Sequence, residues 1–126
     1  MEQEMLVKTI AKVLDDKKAL DIRALRVSHL TVITDYMLIA SGRNVLQTRA
    51  LAEDVEDKMA ELGVPLRTRE GMQEARWIVL DYGTVLVHIF HPEAREYYNL
   101  ERLWTDGDNE MDLGRDEEAG KPGDQA

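Results

Sequence analysis

The chain has 126 residues, 44% of them hydrophobic and 33% charged, with a net charge of −9 and no cysteine. That length suits one domain with its own core, the apolar share excludes a wholly disordered chain, and the missing cysteines exclude a disulfide framework and thiolate metal or redox chemistry. The acidic balance lacks the Lys and Arg footprint that grips nucleic-acid phosphates, so DNA is not an expected partner.

No apolar run approaches the roughly 20 residues of a membrane-spanning helix, and Met1-Glu2-Gln3-Glu4 has neither the basic start nor the apolar core of a signal peptide. The expected location is the cytoplasm, away from membranes. Leu6, Ile10, Val13 and Leu14 predict an amphipathic helix over 5–18, with Lys17 and Lys18 near its C-terminal carbonyls. Residues 22–27 form an imperfect strand pattern. Tyr36-Met37-Leu38-Ile39-Ala40 is a continuous apolar run, suited to a strand buried on both faces and ended by Ser41-Gly42. Asn44, with Gln47 at the answering position of a capping box, opens a second helix whose Leu51, Val55, Met59 and Leu62 keep helical spacing until Gly63 and Pro65.

Residues 66–70 predict a short edge strand, broken by Gly71. Two further strands, 77–80 and 85–90, flank the turn Asp81-Tyr82-Gly83-Thr84 and predict a central antiparallel hairpin. Pro92 opens a last helix, from which Tyr97, Tyr98, Leu100, Leu103 and Trp104 are expected to pack back on the sheet. Beyond Thr105 come eight acids against Arg115 and Lys121, together with four of the eight glycines. Residues 107–126 therefore read as a disordered acidic tail on a domain of residues 1–106. The expected class is α/β (α+β), order αββαβββα, a mixed sheet of about five strands with helices packed on it.

Several constellations could carry chemistry. Ser41-Gly42-Arg43-Asn44, between a buried strand and a helix, is the best phosphate-site candidate, but it lacks the repeated glycines of a dinucleotide fingerprint and the Gly-Lys-Ser/Thr of a P-loop. A tight turn with a helix cap is the favoured reading. The turn resembles the Gly-Ser turn of nucleotidyltransferases without the paired carboxylates that hold their metal ions, and it leaves a nucleotide-binding enzyme as the alternative function. His88 and His91, with Glu93 and Asp81, raise a metal site; residues three apart on a strand point to opposite faces, so no metal is expected. Ser28 and His29 lack an acid placed by the sequence to orient the imidazole. Arg67, Arg69 and Arg76 read as solvated charges. Trp77 and Asp81 share one sheet face with Tyr82 at the turn beside them, and aromatics next to an acid make an anchor for a basic protein surface. Spacing alone leaves open whether Trp77 is that anchor or packs beneath a helix.

Six stretches together resemble the ribosomal silencing factor (Iojap-like) family: Lys18-Ala19-Leu20-Asp21-Ile22; Leu30-Thr31 through Thr34-Asp35-Tyr36; Ile39-Ala40-Ser41-Gly42-Arg43; Glu70-Gly71 with Ala75 and Trp77; Leu80-Asp81-Tyr82-Gly83 with Val87-His88-Ile89-Phe90; and Tyr98 through Trp104. The resemblance spans about residues 5–106 and is specific as a set. It implies a nucleotidyltransferase-like fold without catalytic acids, no enzymatic activity and no cofactor. The implied partner is the large ribosomal subunit, bound at its fourteenth protein so as to block small-subunit joining and repress translation when nutrients are scarce. It also implies a homodimer when free, and a partner surface at Trp77, Asp81, Tyr82, Glu70, His88 and Asp35. Thr84 stands where the family is often acidic and Met37 where it is often aromatic.

Overall fold

The computed structural model describes residues 2–113. Helix α1 (Gln3–Asp16) leads into β1 (Leu20–Arg26) and β2 (Tyr36–Ser41), followed by α2 (Val45–Glu61). Three strands, β3 (Thr68–Glu70), β4 (Trp77–Asp81) and β5 (Val85–Phe90), precede two short helices, α3 (Pro92–Tyr98) and α4 (Leu100–Trp104). The sheet order is β1-β2-β5-β4-β3, antiparallel except for the β2–β5 pair. The mixed five-stranded sheet and its α+β class agree with the sequence, and β5 of the expected hairpin is the middle strand.

Alternation sorts β2 cleanly. Tyr36, Leu38 and Ala40 face the core built with Leu6, Val7, Ile10 and Leu14 of α1 and Leu51, Val55 and Met59 of α2. Met37 and Ile39 face a second cluster with Leu25, Phe90, Ala94 and Leu100. All six β2 residues are buried, the five of the unbroken apolar run as it predicts and the polar Ser41 with them. The β1 pattern looked imperfect because its register slips between Leu20 and Arg23, with Asp21 at φ +48. Asn44 caps α2, its side chain accepting from the Gln47 amide at 2.8 Å, while Gln47 Oε1 answers to the Arg43 amide at 2.7 Å, one residue earlier than in a standard capping box.

Two expectations need correction. The last helix is split at Asn99, whose left-handed φ of 48 ends α3 and starts α4, and the turn exposes Tyr97 (81%) and Leu103 (73%), which do not pack on the sheet. The chain also stays ordered past residue 106. The Arg26 amide donates to the Asn109 carbonyl and the Met111 amide to the Ala24 carbonyl, so residues 109–111 run along the open edge of β1, with a bridge at Leu25 and Glu110. Asn109 and Met111 are buried, and Arg23 grips Glu110 with two hydrogen bonds at 2.8 and 3.1 Å. The acidic composition is misleading here, because a bare strand edge supplies the partners that a polar segment lacks by itself. Residues 114–126 of the expected tail lie outside the described residues. Among the described residues, no helix is long and apolar enough to cross a membrane.

Candidate protein-binding face

The two faces of the sheet are covered unequally. Helices α1 and α2 cover one face over β1, β2, β5 and β4, whereas α3 and α4 cover the other over β1, β2 and the end of β5, with Tyr98 of α3 reaching Trp77 on β4. What remains open is the β3–β4–β5 half. Cross-strand register places Thr68 beside Asp81, Glu70 beside Val79, Val79 beside His88 and Trp77 beside Phe90, so these side chains share the open face. Trp77, Val79, Asp81 and Leu86 are half-buried, and Thr68 and Glu70 are exposed.

Alternation also sorts charge. Arg69 turns to the helical face, where it holds Glu56 of α2 at 2.9 Å, while its neighbour Glu70 turns to the open face. The open face is therefore apolar at its centre and acidic along its β3 side, with Trp77 and Asp81 about 13 Å apart along β4. At the Trp77 end, Gly71, Gln73, Glu74, Arg76, Ala94 and Tyr98 complete a concavity of about 450 Å³. A larger groove of about 760 Å³ lies between α1 and α2, but lysines and carboxylates alternate along its walls, the pattern of a solvated helix pair, and it shares nothing with this face.

Trp77 is packed on three sides. Its ring stacks on Phe90 with centroids 5.0 Å apart, tilts against Tyr98 at 4.8 Å, and donates its indole N–H to His88 Nδ1 at 3.0 Å. His88 is only 5% exposed, and burial pushes its pKa down to about 4, so the ring is neutral. Asp81 has a second duty: its Oδ1 accepts the Gly83 amide at 2.8 Å and shapes the hairpin turn.

Across residues 1–126 the chain matches the family model described as ribosomal silencing factor during starvation. The chain belongs to the ribosomal silencing factor family. It is 42% identical over 106 residues to the ribosomal silencing factor of Bacillus subtilis, covering 84% of this chain and 90% of that one. An X-ray structure of a Chromobacterium violaceum protein superposes with a TM-score of 0.81 at 33% identity, covering 91% of this chain and 98% of that one. A crystal structure from Bacillus halodurans gives 0.75 at 35%, covering 88% and 99%.

In this member of the silencing factor family the six residues expected at the partner surface do not all come together. Glu70, Trp77 and Asp81 share the open face. His88 lies beneath it, buried. Tyr82 is on the other side of the sheet, 7% exposed in the core under α2, its hydroxyl without a partner among the described residues and its pKa pushed up to about 12 by burial. Asp35 stands where β2 begins, accepting from Gln3 at 3.1 Å and bonded through its backbone to Thr84, at the hairpin-turn end. Val79 and Leu86 belong to the open face although the sequence reading did not single them out; even spacing from Trp77 identifies Val79, and the hairpin register identifies Leu86.

The other constellations have structural occupations. The Ser41 hydroxyl accepts from Arg95 at 3.0 Å, the Gly42 amide donates to the Phe90 carbonyl, and the Arg43 and Gln47 amides are capped by side chains. The loop amides of Gly42 and Arg43 and the third amide of the helix, Gln47, which would help hold a phosphate, are thus engaged within the fold. His91 Nδ1 caps α3 by accepting from Glu93 at 3.2 Å, far from the work of His88. Among the described residues, no group of three or more His, Asp or Glu side chains is arranged to hold a metal ion. His29 does have an acid, Asp106 at 2.7 Å, whose carboxyl it holds below the usual carboxylate range, but both groups are exposed and no hydrogen bond links His29 to Ser28.

Proposed function

We propose that this chain silences translation by binding the large ribosomal subunit at its fourteenth protein, through the open β3–β4–β5 face, and obstructing small-subunit joining. The observation that carries the reading is the pairing of an apolar aromatic centre, Trp77 with Val79 and Leu86, with acids Glu70 and Asp81 on the same face while Arg69 is turned away. Such a surface complements a basic partner and supplies a hot-spot aromatic. The effect is steric and needs no bond made or broken, so the function is not enzymatic. The proposal extends to a homodimer in the free state and to a cytoplasmic location.

Cosedimentation with isolated large subunits, small subunits and bare ribosomal RNA over a salt series tests this reading. Selective pelleting with large subunits, weakened at least tenfold by Trp77→Ala, is expected, as is an excess of free subunits when the chain is added to ribosomes. Equal binding to bare RNA, or subunit joining that proceeds unchanged at saturation, would overturn it.

A further inference from the structure

An indole N–H can only donate, so the Nδ1 of His88 that receives it carries no proton and the single proton of the neutral ring sits on Nε2. That Nε2–H is buried and has no hydrogen-bond partner among the described residues. A buried unpaired donor costs stability, and the neighbouring positions on β2 and β5, Ile39, Leu86 and Phe90, show that apolar residues fill this layer. Packing alone gives no reason for a histidine here. Among the described residues, the only side-chain hydrogen bond that His88 makes is to Trp77.

The contacts of Trp77 show what that bond adds. Phe90 and Tyr98 hold the plane of the indole, stacked at 28° and tilted at 44° respectively. Ring contacts of this kind fix a plane but discriminate weakly between the two edges of the ring, since they are nearly unchanged when it turns over. A directional hydrogen bond does discriminate. It points the nitrogen edge inward to the buried His88.

We propose that His88 is the positioning residue of the binding face: its Nδ1 lone pair selects the Trp77 rotamer that a partner meets. His88 touches no partner itself and acts only through Trp77. This rests on the reading of that face as the partner surface. Holding the rotamer before association removes an ordering cost from binding, which amounts to a severalfold gain in affinity.

The test compares His88→Leu and His88→Phe, which remove the acceptor, with His88→Gln, which restores one. Each full-length variant is read by the indole N–H resonance of Trp77, assigned with Trp104→Phe, by thermal unfolding, and by affinity for isolated large subunits. The apolar variants are expected to shift or split the Trp77 resonance and weaken binding about three- to tenfold while melting no lower than the parent. His88→Gln is expected to return both resonance and affinity toward the parent. Undiminished affinity in an apolar variant that has lost the parent resonance would overturn the proposal, as would an unmoved resonance in both apolar variants. Should the parent itself fail to bind large subunits, the ribosomal reading falls, and the resonance alone decides whether His88 positions Trp77. If one apolar variant does not fold, the other carries the comparison.

Discussion

Arg95 of α3 reaches back across 54 residues of chain to donate to the Ser41 hydroxyl at 3.0 Å, and the same guanidinium meets Glu101 of α4 at 2.9 Å and Asp21 of β1 at 3.3 Å. One buried cation thus ties both short helices to the ends of β1 and β2. Removing it leaves Glu101, itself mostly buried, with only the more distant Arg23 at 3.9 Å as counter-charge. Arg95→Leu is expected to destabilise the fold by about 3 kcal/mol in urea titration. A loss under 1 kcal/mol would mean that water replaces the cation.

Two glycines are fixed by close approach. A Cβ on Gly42 would lie 2.6–2.9 Å from the hydroxyl and backbone of Thr48, and one on Gly71, at φ +87, would run into the Trp77 carbonyl oxygen. Gly42→Ala is expected to cost about 1–3 kcal/mol as overpacking. Gly71→Ala adds backbone strain to a clash with backbone and should lower the melting temperature further. Equal melting temperatures for the two variants would contradict this ordering.

Tyr82 separates fold from function. Its hydroxyl is buried on the helical face of the sheet, without a partner among the described residues. Tyr82→Phe is expected to be neutral or slightly stabilising and to leave large-subunit binding unchanged, in contrast to Trp77→Ala. A tenfold loss of binding in Tyr82→Phe would place the hydroxyl at the partner surface.

His88 makes stability depend on pH. Burial holds its folded pKa at about 4, against 6.5 for the free side chain, so between those values the unfolded chain binds a proton there that the folded chain refuses. The stability from the neutral ring is full above about pH 6.5 and falls as pH drops toward 4, by roughly 2–3 kcal/mol at pH 4.5. Urea midpoints at pH 7 and pH 4.5 measure this. His88→Gln should show a correspondingly shallower loss, and an identical loss would assign the effect to carboxylates.

Much of the architecture was legible because local signals and tertiary packing agree. The unbroken apolar run of β2, the Asn44 cap with Gln47, and the turn of the 77–90 hairpin each stand where their chemistry places them. Asn99 was not legible: Tyr97 to Trp104 reads as one continuous helical stretch, whereas Asn99 turns left-handed and Arg95 pairs with Glu101 across the break. Asn109 and Met111 look like tail residues because the edge of β1 that satisfies them lies more than 80 residues away. The candidate face was half legible. Even spacing pairs Trp77 with Asp81, and the odd spacing of Tyr82 from Trp77 already separates it from them, a signal that adjacency to Asp81 obscures.

The segment that lies along β1 leaves the two borders of the sheet unequal. With Asn109 and Met111 bonded to β1, its outer backbone is already engaged over Ala24–Arg26, and the border left without a strand partner among the described residues is β3, three residues long and bearing Arg69 and Glu70. Strand addition from outside is thereby confined to one short, charged site. A molecule whose other border is partly closed in this way joins a second copy through β3 more readily than it extends into a chain of copies. The covered stretch of β1 thus makes growth into open-ended fibres harder, a hazard that an exposed five-stranded sheet would otherwise carry at both sides.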